Sequence, residues 1–415
     1  MATSLPQVRN FDSTISFIRF PYEYISKKSQ QMGSDVFMTR FLLRPTIFMI
    51  GKEAAELFYD ENKFIRKKAM PGRIKRTLLG NGGVQGLDDK EHKHRKQMFI
   101  DLLSGKRIDQ LAKINSKWWE IYAKKWQKQS SANFYDEVCE ILTASICEWA
   151  GIELDQEEIS KRSKELKAMF DGAGAIGPRH WKAILARRDC ERWIIKIINS
   201  IRANKLNPTT DSAVYIISNF RDIDKKLLEP KIAAVEIINI LRPTVAIAVF
   251  ILQAAHALHK NPDWQKKLKK GNEKTLEIFA QEVRRFYPFF PAVAARVRED
   301  FEWQGFQFKK GTRTMLDLYG TNHDARIWDM PYEFHPERFT NLKPDNFVFI
   351  PQGGGTYHQH HRCPGEPITI RLIEVAVNFL VKKISYKVEG QNLDLNLSRV
   401  PALPYSPFII RNVSL

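Results

Sequence analysis

The feature that most constrains this chain is a glycine-rich segment that leads to Cys363 and then to an apolar helix near the C-terminus. Three consecutive glycines, residues 353–355, let the backbone adopt positive φ and pass close to a flat ligand without Cβ clashes. Pro364 and Gly365 predict a turn after the cysteine. Apolar residues at helical spacing follow at Ile373, Val377, Leu380 and Ile384. Cys363 therefore lies just before a helix N-terminus, where partial positive charge favours a thiolate that can bind a metal ion.

Three interpretations of Cys363 are open at this point. An isolated cysteine is most often a small buried apolar residue. A zinc site has donors in His358, His360 and His361, but structural zinc usually takes paired ligands from two separated clusters, and the sequence has no second cluster. A haem iron bound from one side by the thiolate agrees with the glycines as well as with the cysteine, and we rank it first.

The composition predicts a globular chain with a large core. The chain has 415 residues, 43% of them hydrophobic, and a formal net charge of +18. The positive charges are dispersed and no nucleic-acid-binding motif accompanies them, so we expect no nucleic-acid partner; a preference for negatively charged substrates is the alternative. The longest apolar run, residues 245–252, is far shorter than the roughly 20 residues of a membrane span, so we expect no span.

The cysteines and the N-terminal segment bear on the compartment. Cys139, Cys147 and Cys190 form no paired framework, so we expect no disulfides and a reducing, cytoplasmic compartment. Residues 1–28 mix charged with apolar side chains and fit neither a signal peptide nor a membrane anchor.

Helical periodicity dominates the order of elements. It extends from about residue 108 to 206, over residues 229–260 with an interruption at Arg242 and Pro243, and over residues 275–287. Short strands are predicted at residues 35–50, 301–308 and 312–318 and in the tail from 386 to 413. Because no repeat or linker divides the chain, we expect residues 1–415 to form a single domain, mainly α with small β-sheets.

The last third of the chain contains several motifs in a fixed order. Glu282 and Arg285 lie three residues apart on a helix, which by itself most often marks an exposed ion pair. An Asn-His-Asp stretch, a Pro-Glu-Arg-Phe motif and the cysteine segment follow. This order resembles the C-terminal half of the cytochrome P450 family. The resemblance implies the cytochrome P450 fold, haem b bound through Cys363, and structural roles beneath the haem for Glu282, Arg285 and Arg338.

Residues 239–244 depart from that family pattern. Where the family usually has an acid and a threonine that deliver protons to bound oxygen, this helix reads Asn-Ile-Leu-Arg-Pro-Thr. Pro243 removes a backbone donor and is expected to kink the helix and open a space over the metal. Arg242 in an apolar helix needs an anion, which a substrate carboxylate or an internal ion pair with Glu236 would provide.

The Arg-Pro pair resembles the fatty-acid peroxygenase branch of the family, which uses hydrogen peroxide directly and requires no reductase. The similarity extends over nearly the whole chain and is greatest to bacterial α-selective fatty-acid hydroxylases. It implies that Arg242 holds the carboxylate of a long-chain fatty acid by a bidentate pair and that this carboxylate replaces the missing general acid-base. Only Cα and Cβ would then lie within reach, giving a 2-hydroxy acid with some 3-hydroxy acid.

The resemblance also implies further site residues. Pro243 and Gln85 join Arg242 in the catalytic set, and relatives that decarboxylate fatty acids tend to have histidine in place of Gln85. Phe290, where β-hydroxylating relatives have glycine, favours attack at Cα. The residues expected to bind the haem propionates are Arg66, His92, Lys96 and Tyr287. The residues expected to line the substrate channel are Leu78, Leu79, Phe170, Phe289 and Phe290. A surface charge and ordinary core packing, respectively, are the alternatives for these two sets.

Three other functions stay open. A fatty-acid decarboxylase would form terminal alkenes from the same substrates. A reductase-dependent monooxygenase would need the proton-delivering acid that the sequence lacks. A haem-binding sensor would bind the cofactor without turnover.

Overall fold

The structure is a computed structural model that describes residues 4–342 and 345–415. Its α-helices are α1 (Thr14–Arg19), α2 (Tyr24–Met32), α3 (Lys52–Phe58), α4 (Gly72–Ile74), α5 (Asp89–Leu102), α6 (Lys106–Trp126), α7 (Phe134–Ala150), α8 (Gln156–Asp171), α9 (Pro178–Arg202), α10 (Ala213–Ser218), α11 (Pro230–Lys260), α12 (Pro262–Lys270), α13 (Glu273–Phe286), α14 (Leu318–Asn322) and α15 (Glu366–Lys382). Its strands are β1 (Val36–Phe41), β2 (Arg44–Met49), β3 (Phe64–Ile65), β4 (Ser131–Asn133), β5 (Ala292–Val297), β6 (Phe301–Trp303), β7 (Phe306–Phe308), β8 (Arg313–Asp317), β9 (Ser385–Lys387) and β10 (Ile409–Ser414). The prediction of a mainly α chain with small sheets is confirmed.

Helix α11 lies at the centre of the helical core, where it packs against α7, α8, α9 and α15. It is long and apolar enough to cross a membrane by length and composition, with a mean hydropathy of 2.0 in its most apolar window. However, 94% of that window is buried inside the protein. The hydrophobicity of α11 is therefore that of a core helix surrounded by other helices.

The predicted interruption of this helix at Arg242 and Pro243 is wrong, because α11 is assigned continuously from Pro230 to Lys260. Pro243 cannot donate to the carbonyl of Asn239, but a proline removes only one bond of the ladder. Thr244 Oγ1 donates to the carbonyl of Ile240 at 2.9 Å. Packing on all sides holds the helix together across the proline.

A five-stranded sheet joins the N-terminal segment to the second half of the chain, in the order β1-β2-β8-β5-β3. The hairpin predicted at residues 35–50 is present, with Val36 paired to Met49. Strand β8 pairs in parallel with β2 and antiparallel with β5. The strands predicted around residues 301–308 and in the tail are also present, as the β6-β7 hairpin and as β9 and β10, which form a sheet with β4.

A π-helical turn, Lys75–Leu79, follows α4 and ends at Gly80, where φ is +76°. A Cβ at Gly80 would clash with the guanidinium of Arg187, which donates to the carbonyl of Leu78 at 3.2 Å. The close approach of α9 thus requires glycine at position 80. The turn places Leu78 and Leu79 in the lining of the cavity described below.

All four cysteines are unpaired, as predicted. Cys139, Cys147 and Cys190 are fully buried in the helical core. Burial raises the pKa of each of these thiols. Cys363, in contrast, lines the cavity described below.

Candidate active site

A cavity lies between α11 and the loop that contains Cys363. The cavity has a volume of about 270 Å³, close to the lower end of the roughly 300–1,000 Å³ of a typical small-molecule pocket. Ten of the residues predicted to act in catalysis, haem binding or the substrate channel line it: Leu78, Leu79, Gln85, His92, Lys96, Arg242, Pro243, Phe289, Phe290 and Cys363. The fold therefore brings together residues from five separate parts of the chain.

Three of the predicted binding residues lie outside this lining. Arg66 borders a smaller adjacent pocket, and its guanidinium carbon lies 4.4 Å from the centre of the Phe58 ring. The hydroxyl of Tyr287 is hydrogen-bonded to His256 Nδ1 at 2.8 Å and is buried. Phe170 is fully buried in the helical core at the end of α8. Their proposed roles at the haem and the substrate channel stay predictions.

Cys363 lies on the loop that precedes α15, as its sequence context predicts. Its backbone N–H donates to the carbonyl of Gln352 at 3.2 Å, and Gln352 Nε2 lies 3.9 Å from its Sγ. Burial raises the pKa of the thiol, while the N–H of Gly365 and the cation of Lys96 lower it. A bound metal cation would reverse this balance, because a coordinating thiol is deprotonated outright. The environment is that of a thiol that becomes a thiolate when it binds a metal.

The zinc interpretation of this segment is not supported. Within residues 4–342 and 345–415, no group of three His, Cys, Asp or Glu side chains could hold a metal ion. His360 Nδ1 instead accepts a hydrogen bond from the backbone N–H of Thr356 at 2.8 Å. His361 stacks on His92 with ring centres 3.8 Å apart.

The residues at one edge of the cavity fit the carboxylates of a haem. His92 and Lys96 are both almost fully buried, and His92 Nδ1 has no hydrogen-bond partner. Lys96 donates to the backbone carbonyls of His360 and Arg362. Burial lowers the pKa of His92 to about 3 and that of Lys96 to about 8. Buried donors without an anion are suited to bind haem propionates at this edge, while Cys363 would bind the iron.

Glu282 and Arg285 are buried and form an ion-pair cluster with Arg338, while the predicted role of these residues beneath the haem stays a prediction. Glu282 accepts from Arg285 Nε and Nη2, both at 2.8 Å, and lies 3.1 Å from Arg338 Nε. Glu282 also accepts from the backbone N–H of His335 at 2.8 Å. Arg285 donates to the carbonyl of Asn322 at 3.0 Å. These bonds join α13 to the segment that runs towards the cysteine loop, so the cluster is not the exposed pair that the spacing alone suggests.

Arg242 is a buried cation that lines the cavity on α11. It is 5% exposed, its Nε has no partner, and its Nη2 reaches only Asn239 Oδ1 at 3.4 Å. The internal ion pair with Glu236 is absent, because Glu236 binds Val84 and Arg95 instead. Burial, and then repulsion from Arg187, lowers the pKa of Arg242 to about 9. A guanidinium in this state favours any anion that enters the cavity.

Sequence reasoning assigned no role to Asn239 of α11 and considered Glu236 only as an ion-pair partner of Arg242. Asn239 lines the cavity, and Glu236 is fully buried one turn further from it. The signal was present, since Glu236, Asn239 and Arg242 repeat every third residue in an otherwise apolar helix and so share one face. No aspartate or glutamate is among the described residues that line the cavity.

Comparisons with known proteins agree with this geometry. The family model "Cytochrome P450" matches residues 254–408. Cytochrome P450 3A15 of Cavia porcellus is 26% identical over 257 residues, which is 55% of this chain and 50% of that protein. The chain spans about half the length of these curated relatives.

Solved structures match over almost the whole chain. Cytochrome P450SP alpha in complex with (R)-ibuprophen is 47% identical, with a TM-score of 0.95 and coverage of 97% of this chain and 99% of that one. Cytochrome P450EX alpha with myristic acid is 40% identical, with a TM-score of 0.96 and 99% coverage of both chains. A variant of cytochrome P450 OleT in complex with arachidonic acid is 31% identical, with the same TM-score of 0.96 and 99% coverage of both.

Proposed function

The chain belongs to the cytochrome P450 family, in the branch of cytochromes P450SP alpha, P450EX alpha and OleT, and from this premise we propose that it hydroxylates long-chain fatty acids at Cα with hydrogen peroxide. Family membership makes it an oxidoreductase with haem b bound through a cysteine thiolate, here Cys363. The peroxide dependence, the position of attack and independence from a reductase are the proposal.

One observation supports this function best: the cavity contains a buried arginine without an anion and, among its described lining residues, no acid. Arg242 can bind a carboxylate by two parallel N–H···O bonds, which fixes its orientation as well as its position. The complex of P450EX alpha with myristic acid supports a fatty acid as the ligand.

The bound carboxylate would then supply the proton chemistry that the protein lacks. Thiolate-ligated haem, when bound, supplies oxygen activation, because the thiolate donates electron density that favours O–O cleavage. Arg242 holds the substrate carboxylate at the cavity, where it can accept a proton from peroxide and return it as a general acid-base. Gln85 lines the same cavity and offers an amide, which can donate a hydrogen bond but cannot exchange a proton as histidine can.

The geometry of the apolar wall favours attack next to the carboxylate. Phe289 and Phe290 line the cavity with ring centres 4.3 Å apart, and Phe250 packs on Phe289 at 4.6 Å. A carboxylate held by Arg242 limits the reachable hydrogens to those on Cα and Cβ. Bulky rings at this wall favour Cα, which supports the 2-hydroxy acid as the main product.

A peroxide assay of the holoenzyme tests the proposal. We expect myristic acid and hydrogen peroxide, without reductase or nicotinamide, to give mainly 2-hydroxymyristic acid by gas chromatography. Arg242→Ala should keep the haem but lose at least about 100-fold in activity, since it removes the bidentate partner of the carboxylate. Arg371→Ala, at a half-exposed position of α15, is the matched control and should keep full activity.

Each other outcome identifies an alternative. A terminal alkene as the main product would establish decarboxylation, and a 3-hydroxy acid would overturn selectivity for Cα. Turnover that requires a reductase would establish a monooxygenase. Haem binding without turnover, either with peroxide or with a reductase, would support a haem-binding sensor.

We also propose a cytoplasmic location. The four unpaired cysteines fit a reducing compartment.

A further inference from the structure

Glu236 is a fully buried carboxylate that the proposed mechanism does not use. Its Oε1 accepts from the backbone N–H of Val84 at 2.8 Å and from Arg95 Nη1 at 3.2 Å. Its Oε2 accepts from Asn239 Nδ2 at 2.9 Å. The single carboxylate thus joins α11, α5 and the loop that contains Gln85. Burying a carboxylate this completely costs free energy, which its hydrogen bonds and its ion pair with Arg95 must offset.

The charge on Glu236 determines how the Asn239 amide is oriented. An ionised carboxylate can only accept, so Asn239 must turn its Nδ2 towards Glu236 and its Oδ1 away. The same Nδ2 donates to Gln85 Oε1 at 3.1 Å, which uses its second hydrogen. Asn239 Oδ1 is then the atom that faces Arg242, whose Nη2 donates to it at 3.4 Å.

The orientation of Asn239 in turn determines what Gln85 presents to the cavity. Because Gln85 Oε1 accepts from Asn239, its Nε2 is the group left for a ligand. Gln85 and Arg242 both line the cavity, so a ligand meets donors from both. Because Glu236 only accepts, the amides of Asn239 and then Gln85 are oriented so that Gln85 presents a hydrogen-bond donor to the cavity.

We propose that Glu236 is a positioning residue that, through Asn239, orients Gln85 and Arg242 so that both present hydrogen-bond donors to the substrate carboxylate. This inference rests on the proposed function, since it concerns how a fatty-acid carboxylate is recognised. It predicts that Glu236 increases the affinity for a fatty acid over that for an uncharged chain of equal length, although Glu236 is not among the residues that line the cavity.

Glu236→Gln tests the inference with almost no change of shape. A glutamine that accepts from Val84 and Arg95 must turn its NH₂ towards Asn239, which reverses both amides of the series and directs Gln85 Oε1 towards the carboxylate. We expect myristate to bind the haem-loaded variant at least roughly tenfold more weakly, as for one lost hydrogen bond to a charged group. Tetradecanol, which has the same chain and no carboxylate, should bind unchanged. Equilibrium titration of both ligands above pH 7, where Glu236 is ionised, measures the difference.

Two further variants complete the test. Glu137→Gln removes a half-buried carboxylate of α7 that accepts from Lys125 and Trp126, away from the cavity, and should leave both affinities unchanged. Asn239→Leu interrupts the series while Glu236 keeps its other partners, and should weaken myristate binding alone. The double variant Glu236→Gln, Asn239→Leu should bind myristate no more weakly than the weaker single variant, because both act through one path.

The outcomes separate this inference from the proposed function. Wild-type protein that does not bind myristate would overturn both. Normal myristate binding by Glu236→Gln or by Asn239→Leu would overturn the inference and leave the function standing. Equal losses for acid and alcohol, or additive losses in the double variant, would also overturn it. If Glu236→Gln does not fold, the affinities of Asn239→Leu for myristate and tetradecanol test the inference instead.

Discussion

At the scale of single residues, the site combines a buried cation with a buried acid that do not pair with each other. Arg242 and Glu236 are both fully or almost fully buried, yet Asn239 lies between them and bonds to each. A direct ion pair would satisfy both charges and remove the attraction of Arg242 for a substrate. Because the Asn239 amide separates the two charges, the guanidinium of Arg242 stays available for a substrate carboxylate and is still oriented by a hydrogen bond.

The pH dependence of stability should report the burial of Glu236. Burial raises its pKa from 4.5 to about 7, although Asn239, Arg95 and Val84 act in the opposite direction. Arg95 from α5 and its partner Asp222 are the charged groups nearest to it, with Arg242 beyond Asn239. In this window the native state keeps the proton and the unfolded chain releases it, so stability falls as pH rises from about 4.5 to 7.

We therefore expect the free energy of unfolding of the wild-type protein to fall by on the order of 3 kcal/mol across this window. The Glu236→Gln variant should not show this decrease, because glutamine does not titrate. Urea unfolding of both proteins at the two ends of the window measures it. The same pH dependence in both would show that Glu236 does not titrate there.

At the scale of elements, α11 and α13 each contain a short row of buried polar side chains. On α11 the row is Glu236, Asn239 and Arg242, and on α13 it is Glu282 and Arg285, each at three-residue spacing. The two rows differ in how they are satisfied. Glu282 is surrounded by donors from two arginines and a backbone N–H, whereas the row on α11 ends at a cation without an anion.

Arg285→Leu should therefore be strongly destabilising. It leaves Glu282 buried without its main partner, and breaking a buried pair in this way typically costs 3–5 kcal/mol. Arg371→Leu is the control, because Arg371 pairs with Glu374 at the same spacing while its side chain is 39% exposed, and an exposed pair contributes less than about 1 kcal/mol. Urea unfolding of the holoenzymes, together with their haem content, compares the two. Equal losses would contradict the assignment of Glu282 and Arg285 as a structural pair.

At the scale of the whole molecule, chain segments distant in sequence pair with each other. Strand β2 lies beside β8, and β4 lies beside β10. Tyr22 donates to the carbonyl of Phe289 at 2.7 Å and accepts from the N–H of Ala402 at 3.1 Å. These contacts join the first, middle and last parts of the chain, which supports the proposal that residues 1–415 form one domain.

One domain predicts one unfolding transition. We expect far-ultraviolet and near-ultraviolet circular dichroism of the haem-free protein to change together on heating, with equal calorimetric and van't Hoff enthalpies. Two separated transitions would show that the sheet region and the helical core unfold independently.

Much of this organisation could be predicted from the sequence, and the failures have physical causes. Hydrophobic periodicity and the order of motifs predicted the helical core and the position of Cys363 and of Glu282. The interruption at Arg242 and Pro243 was predicted from local chemistry, but α11 is continuous there because dense packing around it outweighs one missing bond. The partners of Glu236 could not be predicted, because Val84 and Arg95 approach it only through the tertiary fold.

The burial of three cysteines has a consequence for an enzyme supplied with peroxide. Peroxide oxidises thiolates to sulfenic acid and then irreversibly to higher acids, and the attack requires both exposure and a low pKa. Cys139, Cys147 and Cys190 have neither, since each is fully buried with a raised pKa. The fold thereby protects these thiols from the proposed oxidant, so that damage during peroxide-driven turnover should begin elsewhere, at exposed thioethers such as Met330.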